Sequence, residues 1–198
     1  MNNVSEISDV DAVVRYRLFR PGAKPPLQGT AHAAGYDICA WISCNTENSC
    51  AENCECDPVV IISAGSMAKI LTGVNLRIPE GYEVQVRPRS GLAAKYQITV
   101  MNSPGTIDAD YDGDGADYEV VVLLKNTGPR AFVVEQGMRI AQLVVQKLPS
   151  VRFEEDHAEN SCRLSSGRQG GLGSTGLNEL NYSFEHKILS QTMAGDDQ

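Results

Sequence analysis

The segment from Asp108 to Glu119, DADYDGDGADYE, carries a carboxylate at every second position through Asp114. Carboxylates in that density suit two chemistries, the binding of a hard cation and the polarising of water. The run satisfies the calcium-loop pattern D-x-D-x-D-G-x5-E at Asp108, Asp110, Asp112, Gly113 and Glu119. Such a loop must join two amphipathic helices, and the flanks here forbid them. Upstream, VMNSPGTI holds Pro104 and Gly105, which break a helix. Downstream, VVVLL reads as a strand, and position eight of the loop, where an apolar residue pairs with a partner hand, is Gly115. The expectation is an acidic β-hairpin with a chemical role of its own.

Two further segments could hold an anion. Gly171-Leu172-Gly173-Ser174-Thr175-Gly176 has the form G-x-G-x-x-G, but no strand precedes it and only a weak helix follows, so a dinucleotide fold is not expected. Its glycines free backbone N–H groups, and Ser174 and Thr175 add hydroxyls, so it reads either as a flexible phosphate clamp or as a plain linker. The run Arg87-Pro-Arg89-Ser90-Gly91 sits where a strand should give way to the short helix SGLAAKYQI. There it presents a guanidinium, a hydroxyl and backbone N–H groups to a phosphate, or else a solvated Arg at an ordinary helix cap.

Those segments need a scaffold, and the chain supplies strands. VVRYRLF, VVIISAG, MAKILTGVNLRIP, YEVQVRP, YEVVVLLKN, AFVVEQG and RIAQLVVQKL are β-branched or alternating, with Gly and Pro between them. Many short strands and almost no helix predict an all-β sandwich or barrel of jelly-roll type. Residues 1–14 read as an N-terminal extension and 15–150 as a β core. From 151 to 198 the chain turns polar and rich in Gly and Ser, which predicts a C-terminal arm. Within the core, 43–56 reads as an inserted loop holding Cys44, Cys50, Cys54 and Cys56. Their spacing fits a zinc site poorly, so reduced thiols are expected, with a disulfide or a metal site as the alternatives.

Composition narrows the class. Lys and Arg number 17 against 25 Asp and Glu in 198 residues, a net charge of −8. That balance lacks the basic footprint of a nucleic-acid binder. No run reaches the ~20 apolar residues that span a bilayer. The first residues are neither basic nor apolar, so no export signal is expected, and the sequons at Asn3 and Asn181 read as chance. The expectation is a protein inside the cell, cytoplasmic or nuclear.

Five segments in order resemble the motifs of the trimeric deoxyuridine triphosphate nucleotidohydrolases (dUTPases). They are AAGYDICA (33–40), PRSGLAAK (88–95), NSPGTIDADYDG (102–113), GMRIAQLVV (137–145) and GGLGSTG (170–176). The resemblance implies a jelly-roll subunit in a homotrimer, with three active sites at the subunit interfaces. Each site would take the first, second and fourth motifs from one chain, the third from a neighbour and the fifth from the remaining arm. The implied reaction is hydrolysis of dUTP to dUMP and pyrophosphate, with Mg²⁺.

By the same resemblance, Asp108 is the catalytic base for the water that attacks the α-phosphorus, a role that suits a carboxylate on a rigid hairpin. Tyr111 underlies the deoxyribose and leaves no room for a 2′-hydroxyl, which would reject UTP by shape. Asn102 opens the uracil hairpin, and the backbone of Gly105, Thr106 and Ile107 reads the base edge. Arg89, Ser90 and Gly91 contact phosphates. Asp37 holds the water shell of the magnesium, an indirect mode that suits an ion reluctant to dehydrate, and Gln142 joins that network. Arg139 is either functional or a structural partner of a carboxylate. None of His32, His157 and His186 falls on a catalytic position.

The arm departs from the family pattern. Leu172 stands where an aromatic residue usually stacks on uracil, with Gly173 and Ser174 following. Gly167 stands where an Arg is usual, which leaves Arg168 as the candidate for the γ-phosphate, with Arg163 nearby. The third motif continues Tyr111-Asp112-Gly113 in place of Tyr-Arg-Gly, so the hairpin runs several residues longer. Two other functions share the fold: a catalytically weak dUTP-binding regulator, and a dCTP deaminase. Deamination would call for a different Arg-Ser motif and a catalytic glutamate on the strand after the hairpin, where this chain has VVVLLKN.

Overall fold

The structure, a computed structural model, describes residues 10–43 and 58–155. The chain divides into two compact units, 1–151 and 152–198. In the second, of which 152–155 are described, Arg152 pairs with Glu154. The first unit is built of strands and one short helix, the all-β architecture that the alternating segments predict.

In chain order the strands are β1 (Arg15–Leu18), β2 (Leu27–Gln28), β3 (Tyr36–Cys39), β4 (Val59–Ile62), β5 (Met67–Ile70), β6 (Val74–Arg77) and β7 (Tyr82–Arg87). The helix α1 (Ser90–Tyr96) follows, then β8 (Ile98–Val100), β9 (Gly105–Ile107), β10 (Val122–Asn126), β11 (Phe132–Glu135) and β12 (Arg139–Lys147). They form a five-stranded sheet in the order β2-β3-β12-β7-β9, a three-stranded sheet β5-β10-β8, and the ribbons β1-β6 and β4-β11. All pairings in the five-stranded sheet are antiparallel.

Side-chain alternation fixes which way each strand faces. Val84 and Val86 of β7 and Val122 and Leu124 of β10 are buried, while the residues between them are half-exposed. With Ile38, Ile70 and Ile140 they form one core. Each such side chain contributes about 1.5–3 kcal/mol by leaving water. A slip of one residue would turn every one of them outward, so the register is strongly specified.

The helix is short because both ends are marked. Arg89 at the N-cap keeps extended backbone, and Gln97 turns left-handed and donates its N–H to Ala93 and Leu92. Only Leu92 of the helix is buried. The lone free cysteine among the described residues is Cys39, whose thiol is pushed up chiefly by burial. The cluster Cys44, Cys50, Cys54 and Cys56 lies outside the described residues. No helix among the described residues is long and apolar enough to cross a membrane.

Candidate functional site

The five-stranded sheet gathers one set of predicted residues at a single rung. On β12, Gln142 lies opposite Asp37 of β3 on one side and Arg87 of β7 on the other. Gln142 Nε2 donates to the Pro88 carbonyl at 2.8 Å, which ties it to the turn that carries Arg89. Gly35 makes room for this amide, since a Cβ there would stand 2.5 Å from Gln142 Oε1. Arg89 Nε donates to Asp37 Oδ1 at 2.8 Å, and Arg139 Nη1 donates to Asp37 Oδ2 at 3.0 Å. Arg89 also reaches the Arg139 carbonyl at 2.9 Å. Arg139 thus pairs with a carboxylate, that of a candidate site residue. Ser90 and Gly91 are exposed at the start of α1, where the first N–H groups of a helix have no partner within it.

A second set lines a cavity of about 210 Å³ beside β9, with Asn102, Gly105, Thr106, Ile107, Asp108 and Tyr111 in its wall. The volume is below the ~300–1,000 Å³ of sites for drug-sized ligands, and suits a single small ring. The Tyr111 N–H donates to the Asp108 carbonyl at 3.2 Å, so one turn fixes the carboxylate and the ring relative to each other. Tyr111 Oη donates to the carbonyls of Asp117, at 3.0 Å, and Glu119, at 3.3 Å. Its phenol is raised above the ordinary value of 10.0, by burial first and then by the charges of Glu119 and Asp117 and the neighbouring Tyr118. Asn102 packs against Gly105, with Nδ2 only 2.9 Å from where a Cβ would stand.

The two sets do not meet within one chain. Ile107 of β9 pairs with Val84, so Asp108 falls one residue further back along β7, four residues from the Arg87 rung. That is about 13 Å along the strand and, over three strand spacings to β3, about 14 Å across. Asp108 and Asp37 therefore lie roughly 19 Å apart. A base acting through one water needs hydrogen-bond reach of about 2.6–3.2 Å at each step, so within one chain Asp108 lies beyond the reach of the Asp37–Arg89 pair.

Three of the carboxylates beyond Tyr111, those of Asp112, Asp114 and Glu119, are committed to arginines. Asp112 pairs with Arg77 at 2.8 Å, and Asp114 with Arg17 at 3.0 Å and with Arg77 at 3.3 Å. Glu119, 1% exposed, accepts from Arg20 Nε and Nη2 and from the N–H groups of Thr72 and Gly73. Arg20 in turn lies 4.4 Å over the Trp41 ring and 4.9 Å over Phe19. Among the described residues no group of three or more His, Cys, Asp or Glu is placed to hold a metal ion. Sequence reasoning met Glu119 only as a position in a calcium pattern and missed Arg20 and Arg77. The available signal was an acid directly abutting the apolar run VVVLL.

The family profile for dUTPase matches residues 22–176. The chain belongs to the dUTPase family. The deoxyuridine 5'-triphosphate nucleotidohydrolase of Chlamydia trachomatis serovar L2 is 43% identical over 155 residues, 78% of this chain and 92% of that protein. Two solved dUTPases are alike in fold. A mutant of the Staphylococcus bacteriophage 80alpha dUTPase with dUpNHpp superposes with a TM-score of 0.63 at 22% identity, covering 83% of this chain and 99% of that one. A mutant of the dUTPase from phage phi11 of S. aureus, described with a structural Mg(II) ion, gives 0.58 at 21% identity over 74% and 98%. The dUTPase match extends beyond the described residues to include Arg168, Leu172, Gly173 and Ser174.

Proposed function

We propose that the chain hydrolyses dUTP to dUMP and pyrophosphate at sites shared between subunits of a homotrimer, acting on the nucleotide pool inside the cell. The observation that carries the shared site is the separation of Asp108 from the Asp37–Arg89 pair. Neither half can serve one triphosphate alone. A neighbour's hairpin brought to the Gln142 rung supplies what each subunit lacks.

In this arrangement the cavity beside β9 takes the uracil, read by Asn102 and by the backbone of Gly105, Thr106 and Ile107. Tyr111 closes against C2′ of the sugar and excludes a ribose hydroxyl. Asp108 accepts the proton of a water aligned on the α-phosphorus, and the new P–O bond forms as the bond to the pyrophosphate oxygen breaks. Arg89, Ser90 and Gly91 hold the phosphate oxygens, and guanidinium forks suit that geometry. Arg168, Leu172, Gly173 and Ser174 of a third subunit's arm cover the nucleotide, Leu172 by apolar contact with the base.

Asp37 fits an indirect place beside magnesium. Each of its oxygens accepts one arginine N–H, which leaves each a further lone pair for a water. Two guanidiniums at that distance oppose direct contact with a dication, whereas its water shell is accommodated. Asp37 and Gln142 would hold those waters, and the ion would screen the phosphate charge that Asp108 must approach.

Subunit mixing tests the shared site. Asp108→Asn and Arg89→Ala homotrimers are each expected to be nearly inactive on dUTP. Unfolded together and refolded, they should regain turnover, because some sites then combine an intact hairpin with an intact phosphate set. Absence of any recovery in verified mixed trimers would place both residues in one subunit's site. A dUTP, dCTP and UTP panel on the unaltered protein checks the reaction itself, with pyrophosphate released from dUTP alone.

A further inference from the structure

The hairpin beyond Tyr111 is held down more firmly than its exposure calls for. The ribbon β1-β6 places Arg17 opposite Asn75, and Arg15 opposite Arg77. Residues two apart on a strand share a face, so one face of this ribbon offers three arginines and an asparagine. The hairpin lays Asp112, Asp114 and Gly115 on that face. Arg77 spans Asp112 and Asp114, Arg17 takes Asp114, and Asn75 Nδ2 donates to the Gly115 carbonyl at 2.9 Å. Asn75 itself is 2% exposed, so the hairpin covers it.

The covered end supports Tyr111 from behind. The Tyr111 and Tyr118 rings lie 5.5 Å apart, tilted by 55°. Tyr118 also lies on Gly113 so closely that a Cβ there would stand 2.1 Å from the ring, which only glycine allows. Tyr118 is thus wedged between the backbone at Gly113 and the ring of Tyr111, and the Arg77 clasp holds the turn that carries Gly113.

We propose that Arg77, through Asp112 and Asp114, and Tyr118, through ring contact, are positioning residues that set discrimination between deoxyribose and ribose by holding Tyr111 upright. This rests on the reading of Tyr111 as the sugar wall. A shape-based block works only while the wall is stiff, because a wall that yields admits the larger ligand. Exposed ion pairs add little to global stability, but the state of a surface hairpin is decided locally, where opening is otherwise easy.

The readout is the ratio of kcat/KM for dUTP to that for UTP, measured on the full-length assembled protein. Both nucleotides carry the same triphosphate, so changes in phosphate binding cancel in this ratio. Arg77→Gln and Tyr118→Leu are each expected to lower it roughly 3- to 10-fold, mainly by improving UTP, a part of what a single steric contact supplies. Arg77→Lys should restore part of the loss. At 1 M salt, where the Debye length is about 3 Å, selectivity of the unaltered protein should fall toward that of Arg77→Gln, while the variant, left with the Arg17–Asp114 pair alone, should change less. Tyr111→Val is the control and should collapse the ratio.

If Tyr111→Val collapses selectivity while Arg77→Gln, Tyr118→Leu and salt leave it unchanged, the positioning role is overturned and the sugar wall stands. If Tyr111→Val itself leaves the ratio intact, the wall reading fails and the positioning role falls with it. Should Tyr118→Leu fail to assemble, the surface change Arg77→Gln and the salt series on the unaltered protein decide the matter.

Discussion

Asp37 Oδ1 and Arg89 Nε meet at 2.8 Å across the β3–β12–β7 rung, and the other oxygen of Asp37 is held by Arg139 at 3.0 Å. One carboxylate therefore sets the aim of Arg89, the guanidinium we propose to hold phosphate. Asp37→Asn keeps the shape but removes the charge that faces two guanidiniums. Denaturant unfolding is expected to show a loss of about 1–3 kcal/mol, since the arginine donors lose a charged acceptor in a half-buried place. Magnesium titration of dUTP turnover should show weaker apparent affinity. A variant unchanged in both would mean the pair does no more than decorate the rung.

Asp108→Asn should bind dUTP as the unaltered protein does and turn it over about 10²- to 10⁴-fold more slowly, the usual cost of losing a positioned base. Equilibrium binding and single-turnover rates separate the two effects. Normal turnover would remove Asp108 from the chemistry.

Gly35→Ala aims at Gln142 without touching it covalently. The added methyl would stand 2.5 Å from Oε1 and 3.2 Å from Cβ of Gln142. The amide must swing off the Pro88 carbonyl, so dUTP turnover should fall several-fold while the fold, packed elsewhere, persists. Reversal of the defect by Gln142→Ala would separate a clash from plain loss of the amide. If Gly35→Ala is fully active, the amide contributes nothing there.

Glu119 is committed to Arg20 and two backbone N–H groups, so it has no place in calcium binding. Calorimetric titration with Ca²⁺ should show no binding at the Asp108–Glu119 loop. Glu119→Gln should destabilise the core by about 3 kcal/mol, as removal of one partner leaves a guanidinium lodged against aromatic rings without its counter-charge. Stability within experimental error of the unaltered protein would show that Arg20 finds another acceptor.

Two groups on the hairpin give it opposite limits in pH. Arg17 hydrogen-bonding, foremost, holds the Asp114 carboxyl below its ordinary 3.8. A depressed folded value means that its stabilisation is present above about that pH and fades as pH falls through the lower one. Tyr111 is raised above 10.0, chiefly by burial. Its contribution is whole below pH 10 and is lost as pH rises through the higher value. Phenolate absorbance compared with Tyr111→Phe should show one tyrosine ionising later than an ordinary one. An ordinary titration for Tyr111 would contradict its burial beside Glu119.

The strands that were legible in the sequence are those long enough to show a period. β7 and β10 alternate buried with half-exposed residues, an alternation plain in YEVQVR, while β12 buries adjacent pairs, Ile140 with Ala141 and Leu143 with Val144, and is legible from its apolar length. β2, with two residues, and β8 and β9, with three each, are too short to carry one; their pairing comes from longer neighbours. Asp37, Arg89 and Gln142 were marked in the sequence by the family resemblance, and their convergence on one rung is a fact of sheet order that no local pattern encodes. The acidic hairpin shows the limit most clearly. Spacing alone makes a calcium loop of it, because the arginines that neutralise it stand far upstream at Arg17, Arg20 and Arg77. Charge pairing at that sequence distance leaves no periodic trace.

The proposed sharing of the site between subunits bears on how such an enzyme could be switched off. Competitive inhibitors must displace a nucleotide whose base fills a small cavity and whose phosphates meet arginine. A compound that wedges the subunits apart would need no resemblance to a nucleotide, since separated subunits keep every reactive group and lose only their alignment. Such inhibition would be relieved by raising the protein concentration and, because a nucleotide bridging subunits favours their assembly, would also weaken as dUTP rises.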